Sequence, residues 1–203
     1  MTGPLARAPD RTAAAVFLAA LAIRSIFLIS GSDAPTFDVP IVDAATYRIR
    51  ALRLAGGDGV TPAFFWQPVF YPLFLAAVHS VLGPAAWTAK IVQAVVGAGS
   101  CALTCRLGTI AFDRRTGLAA GLVTAAYGPL VFFDGELLAT GWATFWSVAL
   151  LVLLVRASVR LRIRDGLLLG ACAGLGVLTR PTLLPFVAAA AVWLAMRGAG
   201  PRG

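Results

Sequence analysis

Two short polar stretches carry most of the carboxylates that could do chemistry in this apolar chain. Asp43 lies in VDAATYRIRALRLAGG at residues 42–57, and Asp134 and Glu136 lie in FFDGELLAT at residues 132–140. A carboxylate can take a proton from a hydroxyl as a general base. Asp134 and Glu136 lie next to apolar sequence, where carboxylates are costly, so a functional role is their default interpretation. Together with Asp43 they indicate a polar cleft at one boundary of the apolar segments.

Each stretch also has a plainer interpretation. Asp43 begins a predicted helix, where Asp is a favoured N-cap, and spacing alone favours that role. Asp43, Tyr47, Ala51 and Leu54 share one face of this helix, which Gly56–Gly57 would end. For the second stretch, a solvated turn is as good an explanation as a functional one.

Basic and amide side chains near the same boundary could bind a phosphate carried by a lipid. The candidates are Arg50, Arg53, Lys90, Gln93 and Arg180. Arg50 and Arg53 share a helix face, and Lys or Arg could neutralise a departing anion. The alternative is that each long side chain reaches past apolar surface to water.

Composition defines the class of protein that must position these groups. Of 203 residues, 59% are hydrophobic and 13% are charged, which predicts an all-α polytopic integral membrane protein. The net charge of +8 is spread between apolar runs, so it indicates topology and not a nucleic-acid partner. Cys101 and Cys105 lie four apart without a nearby His, which favours packing over metal binding. We expect no metal site and no cofactor.

Apolar segments occur at about 13–30, 68–83, 86–111, 116–133, 138–156, 166–179 and 182–196. The first segment follows a basic lead, as in a signal peptide, but Arg24 interrupts it, so a retained span is preferred. Arg7 and Arg11 predict a cytoplasmic N-terminus. Residues 31–66 would then be external.

The segment 68–83 decides the number of spans. If it crossed, the basic loops at Arg114–Arg115 and 156–164 would be external, against the positive-inside rule. It is also short for a hydrocarbon core of about 30 Å. We therefore predict six spans with cytoplasmic termini, the tail at Arg197 and Arg202 included, and an external loop 31–85 that contains interfacial helices.

The ordered set of segments resembles a known family. DAATYRIRALRLAGG, QPVFYPLFLAAVHSVLG, AKIVQAVVGAGS, RLGTIAFDRRTGLAAGLVTAAYGPLVFFDGELL and GVLTRPTLL are similar to the N-terminal part of GT-C glycosyltransferases. The likeness is to the protein O-mannosyltransferase-like family (family 39/83), including its aminoarabinose-transferase-like members, and covers residues 13–196. Members are usually longer, so the chain resembles a truncated single domain over residues 1–203.

The resemblance implies an activity and site roles. Asp43 matches the family's catalytic carboxylate in the first external loop, although Ala44 stands where members often have Glu. Asp134 or Glu136 matches a second acidic site, and Gln67 begins the Pro-rich ledge. Tyr47 and Gln67 thus join the candidate substrate-binding residues.

Such enzymes transfer a sugar from a polyprenyl-phosphate donor to a lipid, glycan or protein acceptor. They work by a single inverting displacement at the external face of the inner (plasma) membrane. Two other functions stay open: a non-catalytic membrane scaffold, and half of a lipid or solute transporter. A transporter would be expected to show charges at mid-membrane depth and a pseudo-repeat.

Overall fold

The computed structural model of the chain describes residues 11–58, 60, 62–159 and 163–198. Within these ranges all regular structure is helical, which confirms the all-α prediction. The α-helices are α1 (Arg11–Ser30), α2 (Val42–Ala55), α3 (Phe70–Leu82), α4 (Ala86–Ala111), α5 (Arg114–Ala126), α6 (Gly128–Gly135), α7 (Thr140–Val159), α8 (Ile163–Thr179) and α9 (Leu184–Gly198). Short 3-10 helices occur at Pro62–Trp66 and Pro181–Leu183.

Small residues build the centre of the bundle, where α1, α4 and α5 meet. The buried cluster consists of Ala13, Val16, Ala20, Ala98, Cys101, Cys105 and Ala125. A Cβ added to Gly108 on α4 would lie 2.8 Å from the Cα of Gly117 on α5, so the two backbones touch. Helices in membranes associate through such small side chains. The prediction that Cys101 and Cys105 pack in the core is confirmed.

Larger side chains build an outer layer from α2 and α3. The predicted face of α2 is confirmed, because Tyr47 and Ala51 are buried together with Ala44. The Tyr47 ring meets the edge of the Tyr71 ring on α3, with centroids 5.0 Å apart. α3 in turn contacts α4 and α8, and so connects α2 to the bundle.

The cap interpretation of Asp43 is wrong. The N-cap of α2 is Ile41, without a side-chain capping bond, and Asp43 is the second residue of the helix. The chain turns sharply before it, at Val42 with φ +53°, a strained value for a β-branched residue. The Asp43 carboxylate accepts a hydrogen bond from Gln67 instead. Asp113 is a true cap, since it accepts from the backbone N–H groups of residues 115 and 116.

Three of the described helices are long and apolar enough to cross a membrane: Arg11–Ser30, Ala86–Ala111 and Thr140–Ser158. α5 and α6 could form a fourth span, bent by 54° where Tyr127 is extended ahead of Gly128 and Pro129. The apolar helices Phe70–Leu82 and Pro181–Met196 are shorter.

The chain is thus a helical membrane protein, and the count of six spans stays a prediction. So does the interfacial placement of α3, although 13 residues reach only about 20 Å. Four residues used in the topology prediction lie outside the described residues: Arg7, Arg160, Arg162 and Arg202.

Candidate active site

A cleft lies where α2, α7 and the segment after α8 converge, and it is larger than the cleft that holds Lys90 and Glu136. Its volume is about 710 Å³. Its lining comes from five separate stretches of the chain: Asp43 and Tyr47, Gln67 and Pro68, Phe133, Leu138 to Thr140, and Thr179 to Thr182. We call this space the larger cleft. It brings together four of the predicted site residues.

One side of the larger cleft holds a short hydrogen-bonded chain. Gln67 Nε2 donates to Asp43 Oδ1 at 3.3 Å, and Arg50 Nη1 donates to Gln67 Oε1 at 3.2 Å. Arg50 also reaches the carbonyl oxygen of Phe64 at 3.4 Å. The amide of Gln67 is therefore oriented, with its N–H side toward the carboxylate. Asp43 itself is exposed and available to a ligand.

The lining of the larger cleft also includes a cation, Arg180. Arg180 lies between α8 and the 3-10 helix at Pro181–Leu183, in an extended conformation that suits a residue before proline. Its Nη2 donates to Thr140 Oγ1 at 3.1 Å. Because a guanidinium has five N–H donors, most remain available to an anion in the cleft.

Tyr47 also lines the larger cleft, near these charges. Burial is the main reason that the pKa of its phenol is raised, and the nearby Asp43 carboxylate raises it further. Arg180 and Arg50 act on the same phenol in the opposite direction. All three charges therefore lie close to Tyr47, which stays protonated and can donate a hydrogen bond.

A smaller cleft of about 160 Å³ opens beside it, between the end of α1, the start of α4 and the end of α6. Lys90 and Glu136 line it together with Phe37. The Nζ atom of Lys90 lies 3.6 Å from the centroid of the Phe37 ring, a cation–π contact, and the lysine is 2% exposed. Lys90 and Glu136 are therefore separated from Asp43.

Gln93 has an internal role. Its Nε2 donates to the carbonyl oxygens of Asp134 and Glu136, at 3.0 and 2.6 Å, and its Oε1 accepts from the hydroxyl of Tyr71. Gln93 is buried and lines neither cleft. Arg53 is exposed on α2 and also lies outside both linings.

Asp134 forms a buried ion pair. Its Oδ2 accepts from Arg24 Nε at 2.7 Å, and the two side chains are 4% and 2% exposed. In the sequence Arg24 interrupts an apolar run, and no local pattern assigns it a partner. The available signal is an arginine inside a 20-residue apolar helix, which needs a partner inside the bundle.

No group of three His, Cys, Asp or Glu side chains suited to holding a metal ion occurs in the part of the chain that the structure describes. The lining of the larger cleft offers a carboxylate, an amide, a phenol and a guanidinium, beside the hydroxyl groups of three threonines. These groups suit proton transfer beside a bound anion.

A helical membrane bundle with such a polar cleft at one end suits the GT-C class of membrane glycosyltransferases. Comparison with known families identifies the family within this class. A family model described as dolichyl-phosphate-mannose-protein mannosyltransferase matches residues 66–202, more than half of the chain. The chain belongs to this family, as its resemblance implied.

A curated relative agrees with that assignment. The chain is 32% identical over 151 residues to the undecaprenyl phosphate-alpha-4-amino-4-deoxy-L-arabinose arabinosyl transferase of Pseudomonas aeruginosa (strain UCBPP-PA14). The alignment covers 69% of this chain and 28% of the relative, so the chain spans little more than a quarter of its length. No solved structure matches the chain. The family match begins at Trp66, so α2 and Asp43 precede it.

Proposed function

We propose that the chain contributes the catalytic face of an enzyme that moves a sugar from a polyprenyl-phosphate donor to a lipid, glycan or protein acceptor. One observation carries this proposal: the larger cleft has a carboxylate, Asp43, and a guanidinium, Arg180, in its lining. The family is described by a dolichyl phosphate and the relative by an undecaprenyl phosphate, and both are polyprenyl-type phosphates, which supports the donor class.

The reaction uses the two charges in complementary ways. Asp43 takes the proton of the acceptor hydroxyl as the oxygen attacks the anomeric carbon of the sugar. The bond between that carbon and the phosphate oxygen breaks, and its electron pair leaves with the phosphate. Arg180 stabilises the negative charge that develops there. One displacement of this kind inverts the anomeric centre.

The neighbouring polar groups orient the reactants. Gln67 holds Asp43 through its N–H side, and Arg50 fixes that amide from behind. Tyr47 donates a hydrogen bond to a sugar or phosphate oxygen. Of the two acidic residues left open by the sequence, we assign Glu136 to substrate, because it lines the smaller cleft while Asp134 is occupied by Arg24.

Asp43→Asn tests the proposal most directly. The amide keeps the shape of the side chain but cannot accept the proton, so turnover should fall by about 10²–10⁴-fold. Expression, thermal stability and donor binding should be retained, since Asp43 is exposed and does not cap α2. Sugar transfer from a radiolabelled polyprenyl-phosphate sugar, measured in the longest native form that carries these residues, supplies the readout.

Asp58→Asn is the matched control. This carboxylate follows α2 at its other end, is exposed and lies outside the lining of both clefts. It should transfer sugar at the normal rate. Undiminished transfer by Asp43→Asn would remove Asp43 from the chemistry and leave the larger cleft without a base.

We further propose that both clefts face the outside of the cell. Arg114 Nε donates to Thr12 Oγ1 at 2.8 Å, so the starts of α1 and α5 lie together with Arg11 and Arg115 nearby. The smaller cleft lies at the opposite end of α1, and the larger cleft is lined by Phe133 of α6, the helix that follows the opposite end of α5. By the positive-inside rule, the end of the bundle that carries these basic residues should face the cytoplasm.

Single cysteines test this orientation. In intact cells, a membrane-impermeant thiol reagent should label Asp58→Cys and should fail to label Arg115→Cys. Permeabilised cells should label both, which controls for accessibility. The reverse pattern in intact cells would place the clefts on the cytoplasmic side.

A further inference from the structure

Arg24 and Asp134 form an ion pair in the interior that the proposed chemistry does not use. Arg24 lies in the second half of α1 and Asp134 near the end of α6, and both side chains are almost fully buried. Two residues after Asp134 comes Glu136, which lines the smaller cleft. We propose that this pair is a positioning device that sets the place of Glu136 in the smaller cleft. The proposal rests on the function assigned to that cleft.

Two glycines provide the space for the pair. A Cβ added to Gly97 on α4 would lie 2.6 Å from Arg24 Nε and closer still to Asp134 Oδ2. A Cβ added to Gly141 at the start of α7 would overlap Asp134 Oδ1. Arg24 Nη1 also donates to the carbonyl oxygen of Ala20 at 3.3 Å. Three helices therefore enclose the carboxylate of Asp134, which has little freedom to shift.

Gln93 carries this constraint to Glu136. Its amide N–H groups bind the carbonyl oxygens of Asp134 and Glu136 at once, which fixes the backbone on both sides of Gly135. Gly135 is itself packed tightly, since a Cβ there would lie 2.7 Å from the Phe27 ring. The side chain of Asp134 and the backbone of the turn are thus held, while the side chain of Glu136 stays half-buried in the cleft.

Stability alone is a poor explanation for the pair. Removing two charges from water costs several kcal/mol per ion, and buried pairs are often replaced by apolar residues without loss of stability. A buried ion pair in a membrane segment is accordingly expected to serve a function.

The first test disturbs the pair without removing a charge. Gly97→Ala places a methyl group against Arg24 Nε and Asp134 Oδ2, and should displace the turn that carries Glu136. A displacement of about 1 Å at a reacting site costs about 10²-fold in rate. We expect kcat to fall by about that factor, with the KM for the donor little changed.

Gly99→Ala is the matched control on the same helix. A Cβ there would meet only the Phe145 ring at 3.6 Å, an ordinary contact. It makes the same change in helix propensity and should retain normal kcat. Asp134→Asn is the second disturbing variant, in case Gly97→Ala fails to fold, because it keeps the shape of the side chain and removes its charge.

A readout that does not depend on activity separates this proposal from the proposed function. Glu136→Cys reports the exposure of position 136 through the rate at which the new thiol reacts with an impermeant reagent. The chain without this substitution gives the background rate. Gly97→Ala and Asp134→Asn should each change that rate several-fold, and Gly99→Ala should not. This result supports the positioning of Glu136 by the ion pair even if every variant fails to transfer sugar.

The proposal is overturned if the labelling rate at position 136 is the same in Gly97→Ala, Asp134→Asn and Gly99→Ala. Lower thermal stability of the first two variants, with unchanged labelling and unchanged kcat per folded molecule, would likewise reduce the pair to a structural contact. A normal labelling rate with a lost kcat would place the effect elsewhere and would also reject it.

Discussion

The two clefts hold their carboxylates in opposite ways. In the larger cleft Asp43 is exposed, lies at the strained start of α2, and is held by one hydrogen bond of 3.3 Å from Gln67. In the smaller cleft Glu136 follows a buried ion pair of 2.7 Å, and its own carbonyl oxygen is bound by Gln93 at 2.6 Å.

This difference indicates which cleft is ordered before substrate binds and which cleft is ordered by the substrate. The smaller cleft is held by contacts inside the bundle before any ligand arrives. The larger cleft depends on α2, which packs against α3, and within the described residues its carboxylate has a single side-chain partner, Gln67. Substitutions in the larger cleft should therefore change function more than stability, and substitutions behind the smaller cleft should change both.

After Asp43→Asn, the largest expected effect comes from the cation of the larger cleft. Arg180→Gln removes the charge that stabilises the departing phosphate, and losing one such donor costs about 10²–10³-fold in kcat. Steady-state transfer kinetics measure it. Arg106 is an exposed arginine on α4, and Arg106→Gln is the control, which should have a normal kcat. A normal kcat for Arg180→Gln would mean that the phosphate binds elsewhere, with Lys90 of the smaller cleft as the next cation to test.

Glu136→Gln should have a smaller effect. If Glu136 orients the acceptor or donor and takes no proton, its loss should cost no more than about 10²-fold in kcat, the lower limit for many general bases. The change should appear mainly in kcat, as for Gly97→Ala, because a misplaced reactant slows the reacting step. A loss as severe as that of Asp43→Asn would reverse the roles of the two clefts.

The smallest expected effect is a loss of folding stability at acid pH, through a histidine on α3, the helix that packs against α2 of the larger cleft. His79 on α3 is buried, and its Nδ1 lies 3.2 Å from the carbonyl oxygen of Gly83. Burial lowers the pKa of His79 below 6.5, the Gly83 carbonyl opposes this shift, and the nearby Arg48 on α2 adds to it. The unfolded chain thus binds this proton more readily than the folded one.

The direction of the pH effect follows from that difference. Above pH 6.5 both states are neutral at His79, and the contribution to stability is complete. As the pH falls below 6.5, the unfolded state gains a proton first, and the free energy of unfolding decreases until the folded pKa is reached. Thermal unfolding of the purified protein should show this decrease, and His79→Gln should flatten it. An unchanged slope in His79→Gln would assign the acid sensitivity to another group.

Local sequence pattern was sufficient for most helix positions. The apolar segments expected at 13–30 and 86–111 correspond to α1 and α4, and the two glycines after Ala55 end α2 as predicted. The segment at 116–133 was expected to be continuous but breaks into α5 and α6. Gly128 and Pro129 were the available signal, because proline disrupts the hydrogen bonds of a helix.

Pairing of distant side chains could not be predicted in the same way. The role of Asp43 as a cap was favoured by its position and proved wrong, because the turn at Val42 moves the cap to Ile41. Arg24 and Asp134 are 110 positions apart, and nothing near either residue specifies the other. Lys90 and Arg180 were grouped as possible phosphate ligands, yet they line different clefts.

The sequence by itself determined the helical membrane class, the apolar segments and the residue types able to do chemistry. These follow from composition and from periodicity, which are local properties of the chain. The tertiary structure alone decided which carboxylate meets which cation. Asp43 shares a cleft with Arg180 because α3 lies against α2, α4 and α8, whereas Asp134 is taken by Arg24 because Gly97 and Gly141 leave room for the pair. Contacts between distant segments depend on how helices pack, and packing is set by the whole set of side chains at once.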